Sequence, residues 1–118
     1  MLYINGKWRS SYSGEVLEVM NPATGERVAE VASGGKEETK EAIEAAHLAF
    51  KSWKKTTGQE RANYLKRVAE LIRANGEEIA QTITKEMGKP ITEARREIIS
   101  GSNYVEWFAE EAKRIYGE

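Results

Sequence analysis

The residues of this chain that could carry chemistry are few. Its 118 residues include no cysteine and a single histidine, His47. The lack of cysteine excludes disulfides, thiolate metal sites and a cysteine nucleophile within the chain. His47 falls on a predicted helix with no acidic pair at the spacing that zinc ligands need, so we interpret it as an ordinary helix residue. The residue types alone therefore predict no catalytic centre.

The glycines and the charged runs also predict no catalytic centre. The chain has no G-x-G-x-x-G and no P-loop pattern, and we interpret Gly34-Gly35 as a loop between a strand and a helix. Basic pairs with glutamates nearby, Arg95-Arg96 and Lys113-Arg114, are predicted to form surface ion pairs. Acidic pairs at helix starts or among basic residues are typical of solvated faces. The chain has three such pairs: Glu37-Glu38, Glu77-Glu78 and Glu110-Glu111.

The composition is that of one ordinary small domain. Lys+Arg 18 against Asp+Glu 19 gives a formal net charge of -1, with 40% hydrophobic and 31% charged residues. The near-zero charge excludes the strongly basic surface typical of nucleic-acid-binding proteins. No run approaches the ~20 apolar residues of a membrane span. The first residues do not resemble a signal peptide, so we expect a cytoplasmic protein with no nucleic-acid or membrane partner.

The first third of the chain has the pattern of two β-hairpins. Leu2–Ile4 and Lys7–Arg9 flank Asn5-Gly6, the dipeptide that best supplies the two positive φ angles of a type I′ turn. A strand over Glu15–Met20 is followed by a turn rich in proline and glycine, and then by a returning strand over Glu26–Ala32.

After the hairpins the apolar period changes from two to 3.6, which predicts helices over 36–116. Thr57 and Glu60 have the spacing of a capping box that begins the second helix. Gly88 fits the C′ position of the third helix, and Pro90 fits the first position of the fourth. The first helix has an apolar face made of Ala42, Ala46, Ala49, Phe50 and Trp53. The second helix turns Ala62, Leu65, Ala69 and Ile72 inward, and the third does the same with Ile79, Ile83 and Met87.

The fourth helix has the most regular pattern of all. Its apolar residues recur three and four positions apart: Ile91, Ala94, Ile98, Gly101, Val105, Phe108, Ala112 and Ile115. This spacing is typical of a coiled-coil seam. Tyr104 and Trp107 widen the apolar stripe, so we expect this helix to be surrounded by protein on several sides and to expose apolar surface in the chain alone. A β-then-α order without a crossover back to a parallel strand indicates the opening part of an α/β domain, with α+β character in this segment.

Six short motifs, taken in order, resemble the opening of the aldehyde dehydrogenase superfamily over essentially the whole chain. The motifs are Tyr3-Ile4-Asn5-Gly6-Lys7-Trp8, Asn21-Pro22-Ala23-Thr24-Gly25-Glu26, Ala42-Ile43-Glu44-Ala45-Ala46 running to Trp53, Arg61-Ala62 with Leu65, Glu86-Met87-Gly88-Lys89-Pro90, and Glu93-Ala94. The stretch from Glu106 to Gly117 is similar to the succinate-semialdehyde dehydrogenase branch in particular.

The resemblance implies an oxidoreductase that converts an aldehyde, succinate semialdehyde in the similar branch, to the carboxylate with NAD or NADP. The family's cysteine nucleophile and water-activating glutamate lie downstream of the matching stretch. The resemblance therefore implies that residues 1–118 are the N-terminal part of an NAD(P)-binding domain (1–33 β-hairpins, 36–116 helical). Such a piece is expected to hold no catalytic or cofactor-binding residue and to be inactive alone. The family also implies a homo-oligomer, a dimer or a tetramer.

A structural Na⁺ or K⁺ site is also implied by the resemblance. Glu86 and the backbone carbonyls of Val19 and Met20 match the positions of its protein ligands, and hard oxygen ligands suit such an ion. The alternative interpretation of Glu86 is a surface carboxylate in the last turn of a helix.

The resemblance further places Glu97, Ser100, Gly101 and Tyr104 beside the tunnel through which the aldehyde enters. The alternative interpretation of these residues is ordinary helix packing. Semialdehyde enzymes of this kind tend to have a small residue where Arg96 stands and an aromatic residue near Ser100. The departure from that pattern leaves other small polar or acidic aldehydes open as substrates.

Two other classes of function remain open on the sequence. One is a free-standing helical interaction or oligomerisation module, which would cover its fourth helix by self-association. The other is a structural piece produced by truncated expression or proteolysis. The choice between NAD and NADP is open as well, because the residues that recognise the adenosine 2′ position are not in this stretch.

Overall fold

The computed structural model describes residues 1–115, which form two compact units. One unit comprises Met1–Met20 and Gly25–Lys55, and the other comprises Asn21–Thr24 and residues 56–115. The first unit holds four strands and one helix, and the second holds three helices. None of the described helices is both long and apolar enough to span a membrane.

The first hairpin follows its sequence prediction. Strands β1 (Leu2–Ile4) and β2 (Lys7–Arg9) pair antiparallel. Asn5 and Gly6 have φ angles of 51° and 77°, which confirms the turn with two positive φ angles. The opposed rings of Tyr3 and Trp8 lie with centroids 5.0 Å apart, a cross-strand contact that fixes the register of this short pair.

The second hairpin is also present, with an irregularity at one end. Strands β3 (Val16–Met20) and β4 (Arg27–Ala32) pair antiparallel, each beginning one residue later than the sequence predicts. Val19 lies opposite Ala29, but Met20 lies opposite Arg27, so the register shifts between the last two residues of β3. A shift of this kind disrupts the ladder of hydrogen bonds locally.

Helix α1 (Lys36–Trp53) has a buried carboxylate, Glu38, in its first turn. The backbone N–H groups of Gly35 and Tyr12 both donate to Glu38, whose side chain is only 5% exposed. The hydrogen bond from Tyr12, with a smaller one from Gly35, lowers the pKa of Glu38. The interpretation of Glu37-Glu38 as a solvated pair is therefore wrong for Glu38. Its carboxylate satisfies backbone donors at the start of a helix and in a loop 26 residues earlier.

The face of α1 that packs within its unit is not the apolar face that the sequence predicts. Glu41, one turn after Glu38, accepts hydrogen bonds from Arg9 and from the Tyr12 hydroxyl, and the Arg9 guanidinium lies 4.3 Å from the centre of the Tyr12 ring. The predicted face is exposed, with Phe50 at 56% and Trp53 at 43%. Most of the apolar surface of this face is therefore exposed.

In the second unit, α4 (Ile91–Glu111) packs against both α2 (Gly58–Ala74) and α3 (Gly76–Met87). The fully buried apolar side chains are all alanines, which allow close approach of the helix backbones: Ala62, Ala69, Ala80, Ala94 and Ala109. The inward positions predicted for α2 are confirmed, with Leu65 and Ile72 half-buried. In α3, Ile79 and Ile83 are half-buried as predicted, but Met87 is 61% exposed.

The helix boundaries agree with the local signals in the sequence, with one exception. Thr57 accepts a hydrogen bond from the backbone of Glu60 and donates its own N–H to the Glu60 carboxylate at 2.7 Å, which confirms the capping box. Gly88 adopts φ 71° after α3, and a Cβ there would lie 3.0 Å from Pro22. Pro90 is the N-cap of α4 rather than its first residue.

The seam of α4 differs from the predicted one at two positions and at its end. Gly101 and Phe108 are exposed, and their places in the packed face are taken by Ser102 and Ala109. Positions seven residues apart drift by about 20° on a straight helix, so over the roughly four turns from Ala94 to Phe108 a strict heptad drifts by about 40° toward the edge of the contact face. The helix ends at Glu111, and Ile115 lies beyond it, 74% exposed. The predicted cap at Gly117 and the helical Tyr116 lie outside the described residues.

Ion pairs connect α4 with α3 and α2. Arg95 donates two hydrogen bonds to Glu77, at 2.9 and 2.8 Å, a forked arrangement that fixes both side chains. The Arg95 guanidinium, and after it the amide of Gln81, lowers the pKa of Glu77 to about 2. Glu106, one turn from the middle of α4, accepts a hydrogen bond from Arg73 of α2. The Arg73 guanidinium lowers the pKa of Glu106.

A third connection lies near the end of α4. Lys66 of α2 contacts Glu110 at 2.7 Å, and the Lys66 ammonium, followed by that of Lys113, lowers the pKa of Glu110 to about 2. Lys113 contacts Glu110 and Arg114 contacts Glu111, each at 2.9 Å. Together with Arg95, these contacts confirm the prediction that the basic residues of this region form surface ion pairs.

The closest approach in the second unit lies at Gly58, and it yields a stability prediction. A Cβ at Gly58 would lie 2.3 Å from the carbonyl oxygen of Ala112, so Gly58→Ala forces α2 away from the end of α4. We expect a loss of about 1–3 kcal/mol in the free energy of unfolding, the usual cost of overpacking.

Gly101→Ala is the matched control, because Gly101 lies inside a helix with no described atom within 4 Å of the added Cβ. It should gain up to about 1 kcal/mol. Urea unfolding at low protein concentration measures both, and a Gly58→Ala chain as stable as wild type would contradict the packing.

The Glu77–Arg95 pair predicts how stability changes in acid. Because the pKa of Glu77 is lowered in the folded chain to about 2, the pair stabilises the fold above the unfolded pKa of about 4.3. That contribution is lost as the pH falls from about 4.3 to about 2. Glu77→Gln should therefore be less stable than wild type at pH 7, and the difference should shrink across this window.

Glu78→Gln is the control, because it changes the net charge equally on the neighbouring exposed residue of α3. Thermal unfolding between pH 7 and pH 2 makes the measurement. A constant difference between Glu77→Gln and wild type over the whole range would show that the pair does not act through ionisation.

Candidate functional site

The structure brings the four predicted tunnel residues together on one exposed side of α4. Glu97 is followed by Ser100 and Gly101 three and four residues later, and these by Tyr104 four and three residues later, which places all four on one side of the helix. All four are exposed, Tyr104 to 66%. The interpretation as ordinary helix packing does not hold within the described residues, because the packed side of α4 uses other positions.

Three aromatic rings extend this side of the helix toward its end. The rings of Tyr104 and Phe108 have centroids 4.7 Å apart, and those of Trp107 and Phe108 have centroids 4.9 Å apart, both in edge-on geometry. Trp107 is 58% and Phe108 41% exposed. We call the six residues of this surface the outer face of α4: Glu97, Ser100, Gly101, Tyr104, Trp107 and Phe108.

Shape changes along the outer face. At Ser100 and Gly101 the side chains are small, and no described atom lies within 4 Å of a Cβ built on Gly101. One to two turns later the rings of Trp107 and Phe108 project from the same helix. The outer face therefore consists of a carboxylate at Glu97, a shallow notch at Ser100 and Gly101, and a cluster of rings, with hydroxyls at Ser100 and Tyr104.

The carboxylate at the beginning of the outer face carries its own counter-ion. Lys89 precedes the N-cap of α4, and its ammonium pairs with Glu97. Lys89 is 19% and Glu97 52% exposed at the side chain. Sequence reasoning missed this pair, because an eight-residue separation that crosses the turn at Pro90 is not a helical i,i+4 spacing.

The residues predicted to hold a cation lie on two elements, one in each unit. Glu86 is the exposed penultimate residue of α3. Val19 and Met20 end β3, where the register shift disrupts the hydrogen-bond ladder. Backbone carbonyls and a carboxylate are hard oxygen donors, the chemistry that Na⁺ and K⁺ take. No group of three or more His, Cys, Asp or Glu residues suited to a metal occurs between residues 1 and 115.

The arrangement supports binding and lining rather than covalent chemistry. The chain has no cysteine, and its one histidine, His47, is exposed on α1. The loop interpretation of Gly34-Gly35 is confirmed, since these residues connect β4 with α1. The outer face of α4 offers a neighbour apolar rings, two hydroxyls and a neutralised carboxylate.

Comparisons with known proteins show the family to which this chain belongs. The aldehyde dehydrogenase family profile matches residues 8–118. A 3-sulfolactaldehyde dehydrogenase of Pseudomonas putida is 47% identical over 116 residues, which are 98% of this chain and 24% of that protein. A mitochondrial succinate-semialdehyde dehydrogenase of Oryza sativa subsp. japonica is 49% identical over 115 residues, or 98% of this chain and 22% of that protein.

A comparison with solved structures agrees with the comparisons of sequences. A solved structure described as an E. coli NADP dependent enzyme matches with a TM-score of 0.94 and 42% identity, covering 98% of this chain and 24% of that one. The hairpins followed by helices are thus confirmed as part of this fold. The chain spans about a quarter of the length of the relatives it matches. This chain belongs to the aldehyde dehydrogenase family.

Proposed function

We propose that this chain is the N-terminal part of an NAD(P)-dependent aldehyde dehydrogenase that oxidises a short aldehyde with an anionic group at its far end. Succinate semialdehyde is the first candidate. The observation that carries the proposal is the 49% identity with a succinate-semialdehyde dehydrogenase across 98% of the chain. A homo-oligomeric enzyme is part of the same proposal, and the cytoplasmic location stays a prediction.

The names of two relatives support the anionic end of the substrate. Succinate semialdehyde ends in a carboxylate, and 3-sulfolactaldehyde ends in a sulfonate. Both molecules place a reactive aldehyde and a fixed negative charge at opposite ends of a short chain. An enzyme for either substrate needs a path that admits a small anion without repelling it.

The nicotinamide of NAD(P), when bound, accepts the hydride that the aldehyde loses. This chain holds no cysteine and no glycine-rich phosphate-binding turn, so its own residues do not supply the nucleophile or the dinucleotide cradle. Their role in the proposal is to form one wall of the route that the aldehyde takes.

The outer face of α4 is the surface that we assign to this wall. Its small residues, Ser100 and Gly101, leave room beside the helix, and Tyr104 offers a hydroxyl at the edge of that room. The ion pair of Glu97 with Lys89 removes the net negative charge that would otherwise repel an anionic aldehyde. Glu97, Ser100, Gly101 and Tyr104 are all exposed within this chain. Their exposure supports the assignment, because none of them packs against α2 or α3.

An activity assay on two proteins tests the proposed function. The complete reading frame should encode roughly 480 residues, because 116 aligned residues are 24% of the Pseudomonas relative. Its product should form NADH or NADPH with succinate semialdehyde, whereas residues 1–118 alone should form none. Butanal, the uncharged four-carbon aldehyde, should have a kcat/KM lower by roughly 10- to 100-fold, the effect of losing one charge-assisted contact. Equal use of both aldehydes would refute the anionic substrate, and no turnover of either would refute the enzyme.

Two variants of the complete enzyme test the wall. Ser100→Trp fills the notch of the outer face and should lower kcat/KM by about tenfold or more, as steric exclusion from a substrate path does. Ile99→Trp is the matched control, since Ile99 is 60% exposed on another side of the same helix, and it should leave kcat/KM within about twofold. Equal effects of the two substitutions would remove Ser100 from the substrate path.

We also propose that Glu86, with the carbonyls of Val19 and Met20, holds a structural Na⁺ or K⁺ in the complete enzyme. The donor chemistry supports the site. Sodium or potassium chloride should raise the melting temperature above that in choline chloride of equal ionic strength by a few degrees, about the effect of 1–2 kcal/mol of ligand binding. Glu86→Ala should abolish this difference, because the ion loses its one charged ligand.

Glu78→Ala, on the same helix, is the control and should keep the difference between the salts. If Glu86→Ala and wild type respond alike to sodium and potassium, Glu86 is a surface carboxylate.

A further inference from the structure

Arg96 is the one arginine between residues 1 and 115 whose side chain has no partner among the described residues. The chain has eight arginines, and the other seven each donate to a carboxylate or a hydroxyl: Arg9, Arg27, Arg61, Arg67, Arg73, Arg95 and Arg114. The surface ion pair predicted for Arg95-Arg96 is therefore present for Arg95 alone. An arginine side chain carries five N–H donors, and those of Arg96 stay open for another acceptor.

Arg96 lies on the exposed side of α4, one turn before the notch of the outer face. Ala94 and Ile98, two residues before and two residues after Arg96, take the side that packs, which turns Arg96 away from α2 and α3. Ser100 follows four residues after Arg96, a spacing that brings the two side chains to about 5–6 Å between their Cβ atoms. The helix therefore carries the guanidinium and the Ser100 hydroxyl on the same side.

The charged neighbours of Arg96 on α4 do not neutralise it. Glu97, the next residue, already pairs with Lys89. Glu93 has the i,i+3 spacing of an ion pair with Arg96, but the two side chains form no ion pair in the part of the chain that the structure describes. Glu93 lies in the first turn of the helix, where the helix dipole stabilises its charge. Arg96 is thus a positive charge beside the notch without a carboxylate of its own.

The chemistry of a guanidinium matches the anionic end of the proposed substrate. A carboxylate and a sulfonate both present paired oxygens, and the planar guanidinium binds such a pair through parallel N–H donors. The guanidinium stays protonated at every working pH, so the contact does not depend on titration of the arginine. An uncharged aldehyde offers no comparable acceptor at its far end.

We propose that Arg96 binds the anionic end of the aldehyde in the complete enzyme and thereby selects carboxylate- and sulfonate-bearing aldehydes over uncharged ones. This assignment rests on the proposed function, because it takes the substrate path to run along the outer face of α4. The small side chain of Ser100 leaves room for the anion beside the guanidinium, and its hydroxyl is one further donor. Arg96 is a specificity-determining residue and takes no part in the chemistry at the aldehyde carbon.

Kinetics of the complete enzyme with two aldehydes test the assignment. Arg96→Gln should lower kcat/KM for succinate semialdehyde by roughly 10- to 100-fold, the effect of losing a hydrogen bond to a charged group. The kcat/KM for butanal, which has no anionic end, should stay within about twofold. Arg96→Lys should fall between wild type and Arg96→Gln, because an ammonium keeps the charge and loses the paired donors.

Arg67→Gln is the matched control, because it removes the same charge from α2, where the Arg67 side chain is 68% exposed and pairs with Glu70 three residues later. It should leave kcat/KM for both aldehydes within about twofold. All three variants should melt within about 2 °C of wild type, since each replaces an exposed side chain on a helix surface.

Inhibition by succinate measures binding separately from turnover. With butanal as the substrate, the inhibition constant of succinate should rise in Arg96→Gln by about the factor by which kcat/KM for succinate semialdehyde falls, because the product keeps the anionic end. Butanoate, which lacks that end, should inhibit both proteins alike. An unchanged inhibition constant for succinate would show that Arg96 does not contact the anionic end.

The outcomes separate this assignment from the proposed function. A preference for succinate semialdehyde that Arg96→Gln keeps in full overturns the assignment of Arg96 and leaves the proposed function unaffected. Equal losses with both aldehydes overturn it as well, because Arg96 would then support the fold or pair with another part of the longer chain. A wild-type enzyme that lacks the preference refutes the proposed anionic substrate, and the assignment of Arg96 with it.

Discussion

The close contact of α4 with α2 and α3 is the constraint on which the rest of the second unit depends. Alanines and Ser102 occupy the fully buried positions, so the helix backbones approach closely while little apolar area is buried per residue. Each buried methyl contributes only about 0.8 kcal/mol. The aromatic side chains of α4 lie elsewhere on the helix, and ion pairs to α3 and α2 flank the side that faces inward. Because small residues occupy the packed side of α4, the rings of Tyr104, Trp107 and Phe108 lie on its exposed side.

The first unit uses a different means of fixing its helix. A buried carboxylate, Glu38, satisfies backbone donors from two segments that are distant in sequence, and Glu41 does the same for the side chains of Arg9 and Tyr12. Polar contacts position α1 while its apolar residues remain exposed. Both units therefore hold their helices by polar contacts or close packing and still present apolar helix surface. That combination is expected of a segment whose relatives are four times longer, because exposed apolar area is where further protein packs.

The sequence predicts the features that depend on neighbouring residues and misses those that depend on distant ones. Asn5-Gly6, the Thr57 capping box and Gly88 each carry their conformational preference locally, so the hairpin turn and the helix ends were predictable. The burial of Glu38 was not, because its partner Tyr12 lies 26 residues away. The heptad pattern assigned Gly101 and Phe108 to the packed seam, since spacing alone does not show on which side of a drifting stripe the neighbouring helices lie. Four of the six positions of the outer face, Glu97, Ser100, Gly101 and Tyr104, came from resemblance to a family, and the structure shows them on one exposed side of α4.

The outer face of α4 combines an open notch with exposed aromatic rings. A notch at Gly101 admits whatever projects toward it, and rings at Trp107 and Phe108 lose water favourably against any apolar surface. A segment joined to the same polypeptide meets such a face at an effective concentration in the millimolar range. A longer chain would thus occupy the face and leave the notch free only where its own architecture keeps a path open. That is the condition under which a wall of small residues can serve the passage of a small aldehyde.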